Sequence, residues 1–407
     1  MEKKSHAPTH AYDRERLLAF RLSGHDLTTR RPLTALAEVA GRCGLRNTPP
    51  GSAILGLHAR ATDVQPDTLE RALNDDKTLV EVLGMRASPH IVPRADVRLF
   101  TRGALPQDER SLMAVLSAFA ATLKRDAITA TDALAQAVAA TYAELPPGPM
   151  PRGALSAAVT RRLPEPLAPF CRPCDSHHVQ EMLFRLVGMA GGYVLTRQGK
   201  QSSYVRPDQW LSGAIADGAS VRDAVAGSRP NADATARRRD LLRRYLRCFG
   251  PSTANDFASW VGIHASEGAQ AWDALAERGQ LVEVKTAGRR AWLHTDDLKV
   301  FERAAQPSGV RFLPPYDAYL DQRDRLTLVP DKAHHKRVWA VIGNAGALLV
   351  NGEIVGVWRP QKKGKRLTLT IEAFGKLASA TRDEIMAEAE AVGALRGCTS
   401  IDVAYAG

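Results

Sequence analysis

Apolar positions recur every three or four residues over 235–249, where Leu241, Leu242, Tyr245, Leu246 and Phe249 form one stripe among arginines. That spacing predicts an amphipathic helix. Gly250-Pro251 ends it, and Ser252 or Thr253 can cap the next helix. Residues 254–262 predict a short helix with Phe257, Trp260 and Val261 inward, and residues 267–279 predict a third. The period then drops to two over 281–294, around Ala287-Gly288, which predicts a hairpin. Three helices followed by a hairpin is the winged-helix plan.

The same order reads twice more upstream. Residues 12–23, 31–43 and 67–84 predict helices, and Ala87–Val92 a short extended stretch. Residues 108–122 and 129–144 are apolar at helical spacing, and PRGALSAAVTRRL predicts a third helix. A hairpin over YVLTRQGKQSSYVRP then carries Arg197, Lys200 and Gln201 at its tip. The last hundred residues alternate instead. ALLVNGEIVGVWR predicts two strands around Asn351-Gly352, KRLTLTIEAF a third, and residues 380–395 a closing helix. The expected fold is α+β: tandem winged-helix modules over 10–103, 104–212 and 235–300, a linker at 213–234, and a β-rich C-terminal domain over 301–407.

Composition narrows the class. Hydrophobic residues at 44% and charged residues at 24% exclude a largely disordered chain. No apolar run reaches the about 18 residues of a membrane span, so no membrane partner is expected. MEKKSHAPTH has no apolar stretch behind its charges, so no secretory signal is expected. Five cysteines do not make a disulfide framework in 407 residues, and a reducing cytoplasm is the expected setting.

Lys and Arg number 55 against 44 acidic residues, a net of +11 that favours a polyanionic partner, in particular nucleic acid. The competing explanation is a basic compositional bias spread over solvated faces. Arg359, Lys362, Lys363, Lys365 and Arg366 put five cations into eight residues at a predicted hairpin tip, suited to phosphate. Arg152, Arg161 and Arg162 make the middle helix basic as well. Residues 265–278 instead offer Glu267, Asp273 and Glu277 where a reading helix would need cations, so little sequence preference is expected. Asp321, Arg323, Asp324 and Arg325 suggest local ion pairs.

Cys171-Arg172-Pro173-Cys174, followed by His177 and His178, has ligand types that suit zinc. No second Cys or His pair stands at usable spacing, so no metal and no cofactor is assigned. No Gly-rich phosphate loop, Gly-x-Ser-x-Gly or His-Glu-x-x-His is present.

Several stretches in order resemble the AlkZ-type family of bacterial winged-helix DNA glycosylases. They are GLRNTPPGSAILGLHARA at 44–61, MRASPHIVPRAD at 85–96, LLRRYLRCFGPSTANDFASWVG at 241–262, FLPPYDAYLDQRDR at 312–325, and VNGEIVGVWR through IEAFGKL at 350–377. The resemblance implies tandem winged helices and a β-rich domain, C-shaped around a DNA cleft. It also implies metal-free, monofunctional removal of alkylated purines such as N7-alkylguanine, or of bulky adducts, from double-stranded DNA by a monomer. In the family a Gln-x-Gln motif positions the attacking water.

Here that motif falls on Arg46-Asn47-Thr48, with both Gln positions changed. A guanidinium cannot accept a hydrogen bond from water and repels a cationic transition state. Thr48 can still donate and accept, and Asn47 can substitute if the loop turns by one residue. The resemblance carries a catalytic candidacy onto Arg46, Asn47, Thr48 and Asp317. It carries DNA contact onto Arg86 and His90, beside Arg197, Lys200 and the five cations of 359–366; the alternatives are a buried, hydrogen-bonded core histidine for His90 and a cap on the turn after Pro315 for Asp317. The competing function is a non-catalytic DNA-binding protein, a lesion sensor or regulator, in which Arg46 clamps phosphate.

Overall fold

The computed structural model describes residues 11–198, 201–211, 232–286, 289–340 and 342–406. Lys200, residues 213–231 of the predicted linker and the Ala287-Gly288 turn lie outside the described residues. Helices and mostly antiparallel strands gather into two units. One comprises Met1–Leu69, Arg244–Thr253 and Arg278–Gly407; the other comprises Glu70–Arg243 and Ala254–Glu277. The residues of the predicted third winged helix are thus shared between the two.

In the first unit, strands Val310–Leu313, Gly346–Val350, Glu353–Lys363, Arg366–Ala373 and Ser400–Ala406 lie side by side in that order. Period-two alternation sends Phe312, Leu348 and Trp358 to one face and Leu313, Leu349 and Val357 to the other. The first face packs Ile385, Ala389 and Val392 of helix Ser379–Leu395. The second packs Leu18, Leu22, Tyr319 and Leu320. Both faces are therefore covered. Gly346 is required beside Trp358: a Cβ there would stand 2.2 Å from the indole Nε1, which donates to the Leu313 carbonyl at 2.9 Å. Asn351 and Gly352 take φ of 50° and 82°, as the predicted tight turn needs. Ser400–Ala406 pairs parallel with Arg366–Ala373, a strand that the local pattern did not reveal.

A smaller sheet in the same unit pairs Leu281–Thr286 with Arg289–His294, as expected, and adds Ala11–Tyr12. Helix Arg14–Gly24 lays Leu17 and Phe20 against it, with Phe301 beneath.

In the second unit, strands Pro89–Pro93, Leu79–Leu83, Val194–Gln198, Gln201–Val205 and Met150–Pro151 follow one another across a sheet. Residues 79–83 correct the sequence reading: they form a strand, not the end of a helix. Their central Glu81 is buried and takes two bonds from Arg197, at 2.8 and 2.9 Å. That pairing lets a charged residue sit in a strand buried along its whole length. The predicted helix over 108–122 is broken into Glu109–Leu116 and Phe119–Arg125 by Ser117, at φ 52°. Residues 232–276 form the three predicted helices, Ala232–Phe249, Ala254–Val261 and Ala265–Ala276. No described helix is long and apolar enough to cross a membrane.

Candidate functional site

The Arg46-Asn47-Thr48 segment follows helix Leu36–Cys43, which Gly44 ends at φ 74°. Asn47 is buried, and its Oδ1 accepts from the backbone N–H groups of Gly51 at 2.8 Å and Ala53 at 3.5 Å. It therefore shapes the turn into helix Ala53–His58, much as a capping residue does. The Thr48 hydroxyl oxygen is buried without a protein hydrogen-bond partner. His58, at the end of that helix, places Nε2 3.3 Å from Glu388, which also receives Arg30. Helix Ser379–Leu395 thereby ties down the C-terminal end of helix Ala53–His58.

Arg46 donates from Nη1 to Asp321 Oδ2 at 3.0 Å, and both side chains are largely buried. The two residues lie 275 positions apart, a pairing that the expectation of local ion pairs within 321–325 did not include. Asp324 likewise reaches away, to Arg21 at 2.8 and 2.9 Å. Asp321 closes the short turn Ala318–Asp321. Tyr316, at φ 61°, sets its ring centroid 6.0 Å from the Arg46 guanidinium carbon. Sequence reasoning assigned neither Asp321 nor Tyr316 to the site. The dense charge of DQRDR was the available signal for Asp321.

Asp317 has a different setting. Its carboxylate takes two bonds from Arg60, at 2.6 and 2.8 Å, and both side chains are 4% exposed. Its Oδ1 also accepts the Tyr319 N–H at 2.9 Å, starting the turn that carries Asp321. Burial works against the Arg60 charge, but Asp317 outweighs it, so the guanidinium is held above its ordinary value. Nearby His25 is buried edge-on to Phe249 and Tyr319. Burial, then the charges of Arg60, Arg21 and Arg42, hold its imidazole well below its usual range and keep it neutral.

The candidates for nucleic-acid contact fall into two groups. Arg359, Lys362, Lys363, Lys365 and Arg366 are all exposed, on the ends of two paired strands and the turn at Gly364. The strands run on through Lys363, so the loop predicted over 359–366 is mostly ladder. Lys362 donates to the Arg396 carbonyl at 2.6 Å, and Arg366 pairs with Asp402 at 2.6 Å. Such exposed bonds are weak enough for phosphate to replace. The variant with Lys362, Lys363, Lys365 and Arg366 all changed to Ala is expected to bind every duplex more weakly. Its log–log salt slope should be flatter by about 0.9 per lost contact. A slope equal to the parent's, measured by fluorescence anisotropy over a salt series, would remove this hairpin from the interface.

The described members of the second group are bonded or packed within the second unit. Arg197 answers Glu81. His90 is 2% exposed, bonds its Nδ1 to the Ser88 carbonyl at 2.8 Å, and has the setting of a core histidine. Arg86 is half-buried at φ 53° against Gly262, where a Cβ would come within 2.8 Å of its Cγ. Glu267, read from sequence as a charge repelling phosphate, is buried. It is neutralised by Arg238 at 2.8 Å and by the N–H groups of Gln107 and Asp108. Asp273 remains as the other acidic position inside that helix, with Glu277 just past its end.

The model of a family described as DNA glycosylase AlkZ-like matches residues 39–395. An interstrand DNA cross-link repair glycosylase of Streptomyces sahachiroi is 28% identical over 123 residues. That alignment takes in 29% of this chain and 33% of the relative, so it spans about a third of the relative's length. The solved structure of the Streptomyces sahachiroi DNA glycosylase AlkZ superposes with a TM-score of 0.72 at 17% identity, covering 97% of this chain and 100% of that one. The likeness at that identity is one of fold.

Proposed function

The chain belongs to the AlkZ-like DNA glycosylase family, and from that premise we propose that it hydrolyses the N-glycosidic bond of alkylated purines, N7-alkylguanine or bulkier adducts, in double-stranded DNA. The cross-link activity in the relative's name supports a bulky-adduct range for this chain too. The proposal includes a monomer working in the cytoplasm. It also includes tandem winged helices arranged in a C-shape around the DNA. The helix–helix–helix–hairpin order over 232–294 supports the winged-helix part.

The observation that carries the catalytic reading is the Arg46–Asp321 pair. A lone guanidinium at the family's water-holding position would oppose the reaction. Paired with Asp321 it is neutralised, and the carboxylate supplies the acceptor that Arg46 lacks. In the proposed step, C1′–N9 breaks and its electron pair passes to the cationic purine, which leaves neutral. A water oxygen bonds to C1′ and gives its proton to Asp321. The carboxylate charge also favours the developing oxocarbenium. In this proposal the Thr48 hydroxyl, which has no protein hydrogen-bond partner, helps hold the water, and Tyr316 packs beside Arg46. Asn47 and Asp317, each bonded within the fold, act as positioning residues.

The direct test uses duplexes carrying one N7-methylguanine or one bulky purine adduct, with the abasic product read by alkaline strand cleavage. Product above the spontaneous rate supports the proposal. Tight binding without product on either substrate favours the non-catalytic DNA-binding alternative. The double change Arg46→Gln, Thr48→Gln rebuilds two neutral amides and releases Asp321 from its partner. It is expected to raise N7-methylguanine release by about tenfold, the equivalent of about 1.4 kcal/mol. Duplex affinity should fall slightly, because one cation is gone. A slower double variant would mark the Arg46–Asp321 pair itself as the working arrangement.

A further inference from the structure

Residues 170–178 form an outlying hairpin in the second unit. Phe170–Cys171 pairs with Ser176–His177, around a turn at Arg172–Cys174 and Asp175 at φ 48°. None of these residues is buried, and Phe170 is 52% exposed. A segment with no core of its own needs another staple to hold one conformation. Three potential ligands converge there. One atom each from Cys171, Cys174 and His178 lie within 4.8 Å of one another, and among the described residues this is the one such group of His, Cys, Asp and Glu. Both thiols are free.

The two histidines are sorted by their hydrogen bonds. His177 turns its Nδ1 to the Ala168 carbonyl at 2.9 Å and its ring towards Phe170. His178 bonds its Nδ1 to the Val179 carbonyl at 2.9 Å. A carbonyl only accepts, so Nδ1 carries the proton and Nε2 keeps its lone pair. Fixing the tautomer in this way is the usual second contact of a metal-bound imidazole. The Val179 N–H is itself anchored by the Thr160 hydroxyl at 2.8 Å, which ties the ligand to helix Arg152–Arg162.

We propose that Cys171, Cys174 and His178 bind a zinc ion through two thiolates and one imidazole Nε2, with solvent in the fourth position. Two thiolates with an imidazole select zinc over magnesium or calcium, whose ligands are oxygens. A tetrahedral ion would draw the three atoms to about 3.5–3.8 Å from one another, a short closure from their present spacing. The ion supplies the staple that the hairpin lacks, and the proposal is independent of the glycosylase chemistry.

The test is metal analysis of the full chain purified without chelator, under reductant and with no metal-affinity step. One zinc per chain is expected. Loading with cobalt should give the intense visible bands and thiolate charge-transfer absorption of a tetrahedral thiolate site. Cys174→Ser and His178→Ala should each lose the metal, while His177→Ala and Cys398→Ser keep it. All four should retain the parent's far-ultraviolet circular dichroism, because the hairpin lies outside the core. Chelation should expose residues 170–178 of the parent to limited proteolysis. A chain that holds no zinc after reduction, zinc loading and desalting overturns the proposal, whether or not Cys171 and Cys174 form a disulfide on oxidation. So does zinc retained by both Cys174→Ser and His178→Ala.

Discussion

Asp321→Asn is expected to slow base release by about a hundredfold to a thousandfold, with duplex affinity unchanged or slightly improved. The amide keeps the shape of the carboxylate and still accepts the Arg46 hydrogen bond, so the Ala318–Asp321 turn is retained. What is lost is the basicity that takes the water proton and the negative charge that answers the oxocarbenium. Positioned general bases contribute about 10²–10⁴-fold, and the remaining acceptor oxygen keeps part of that. Losing a negative charge beside DNA does not weaken phosphate contact. Single-turnover kinetics with enzyme in excess separate the two quantities: the rate should fall and the half-saturating enzyme concentration should not rise. A variant that excises at the parent's rate removes Asp321 from the chemistry and leaves it as the partner that neutralises Arg46.

Asp321 also marks where sequence reading stopped. Helix Ala232–Phe249 was legible because Leu241, Leu242, Tyr245, Leu246 and Phe249 repeat at the helical period, and each is buried. The Asn351-Gly352 hairpin was legible because both residues tolerate positive φ. Local signals of this kind need only neighbours. The Arg46–Asp321, Arg21–Asp324 and Arg238–Glu267 pairs need partners 275, 303 and 29 residues away. Before folding, each of these charges looks like an ordinary solvated residue. Glu267 therefore read as surface acid on a helix, and DQRDR gave no sign of partners in distant segments. LVEVL at 79–83 was misread for a related reason. The stretch 67–84 read as helical throughout, whereas Arg197 lets Glu81 be buried in a strand. Strand Ser400–Ala406 pairs in parallel with a strand on the far side of a helix, a contact that no local pattern encodes.

The last expectation separates support from chemistry at Asp317. Asp317→Ala should destabilise the protein by about 3–5 kcal/mol, because it leaves the Arg60 guanidinium buried without a counter-charge. The Gly56 carbonyl would remain as an acceptor for Arg60, but a carbonyl dipole does not replace a carboxylate. Changing both partners together, Arg60→Met with Asp317→Leu, removes the stranded charge and should recover much of the loss, since buried pairs exchange for apolar pairs at little net cost. Neither variant keeps the acceptor for the Tyr319 N–H, so the turn carrying Asp321 should loosen in both. Asp317→Asn keeps that acceptor while losing the charge. The predicted pattern is a large fall in denaturant midpoint for Asp317→Ala and a smaller one for the double change. At low temperature, where all remain folded, excision by Asp317→Asn should stay within about tenfold of the parent, a difference of about 1.4 kcal/mol in the barrier. If Asp317→Asn instead abolishes excision at a temperature where it is fully folded, Asp317 touches the reacting atoms. The burial and the Arg60 bonds would then describe a resting arrangement that opens when DNA binds.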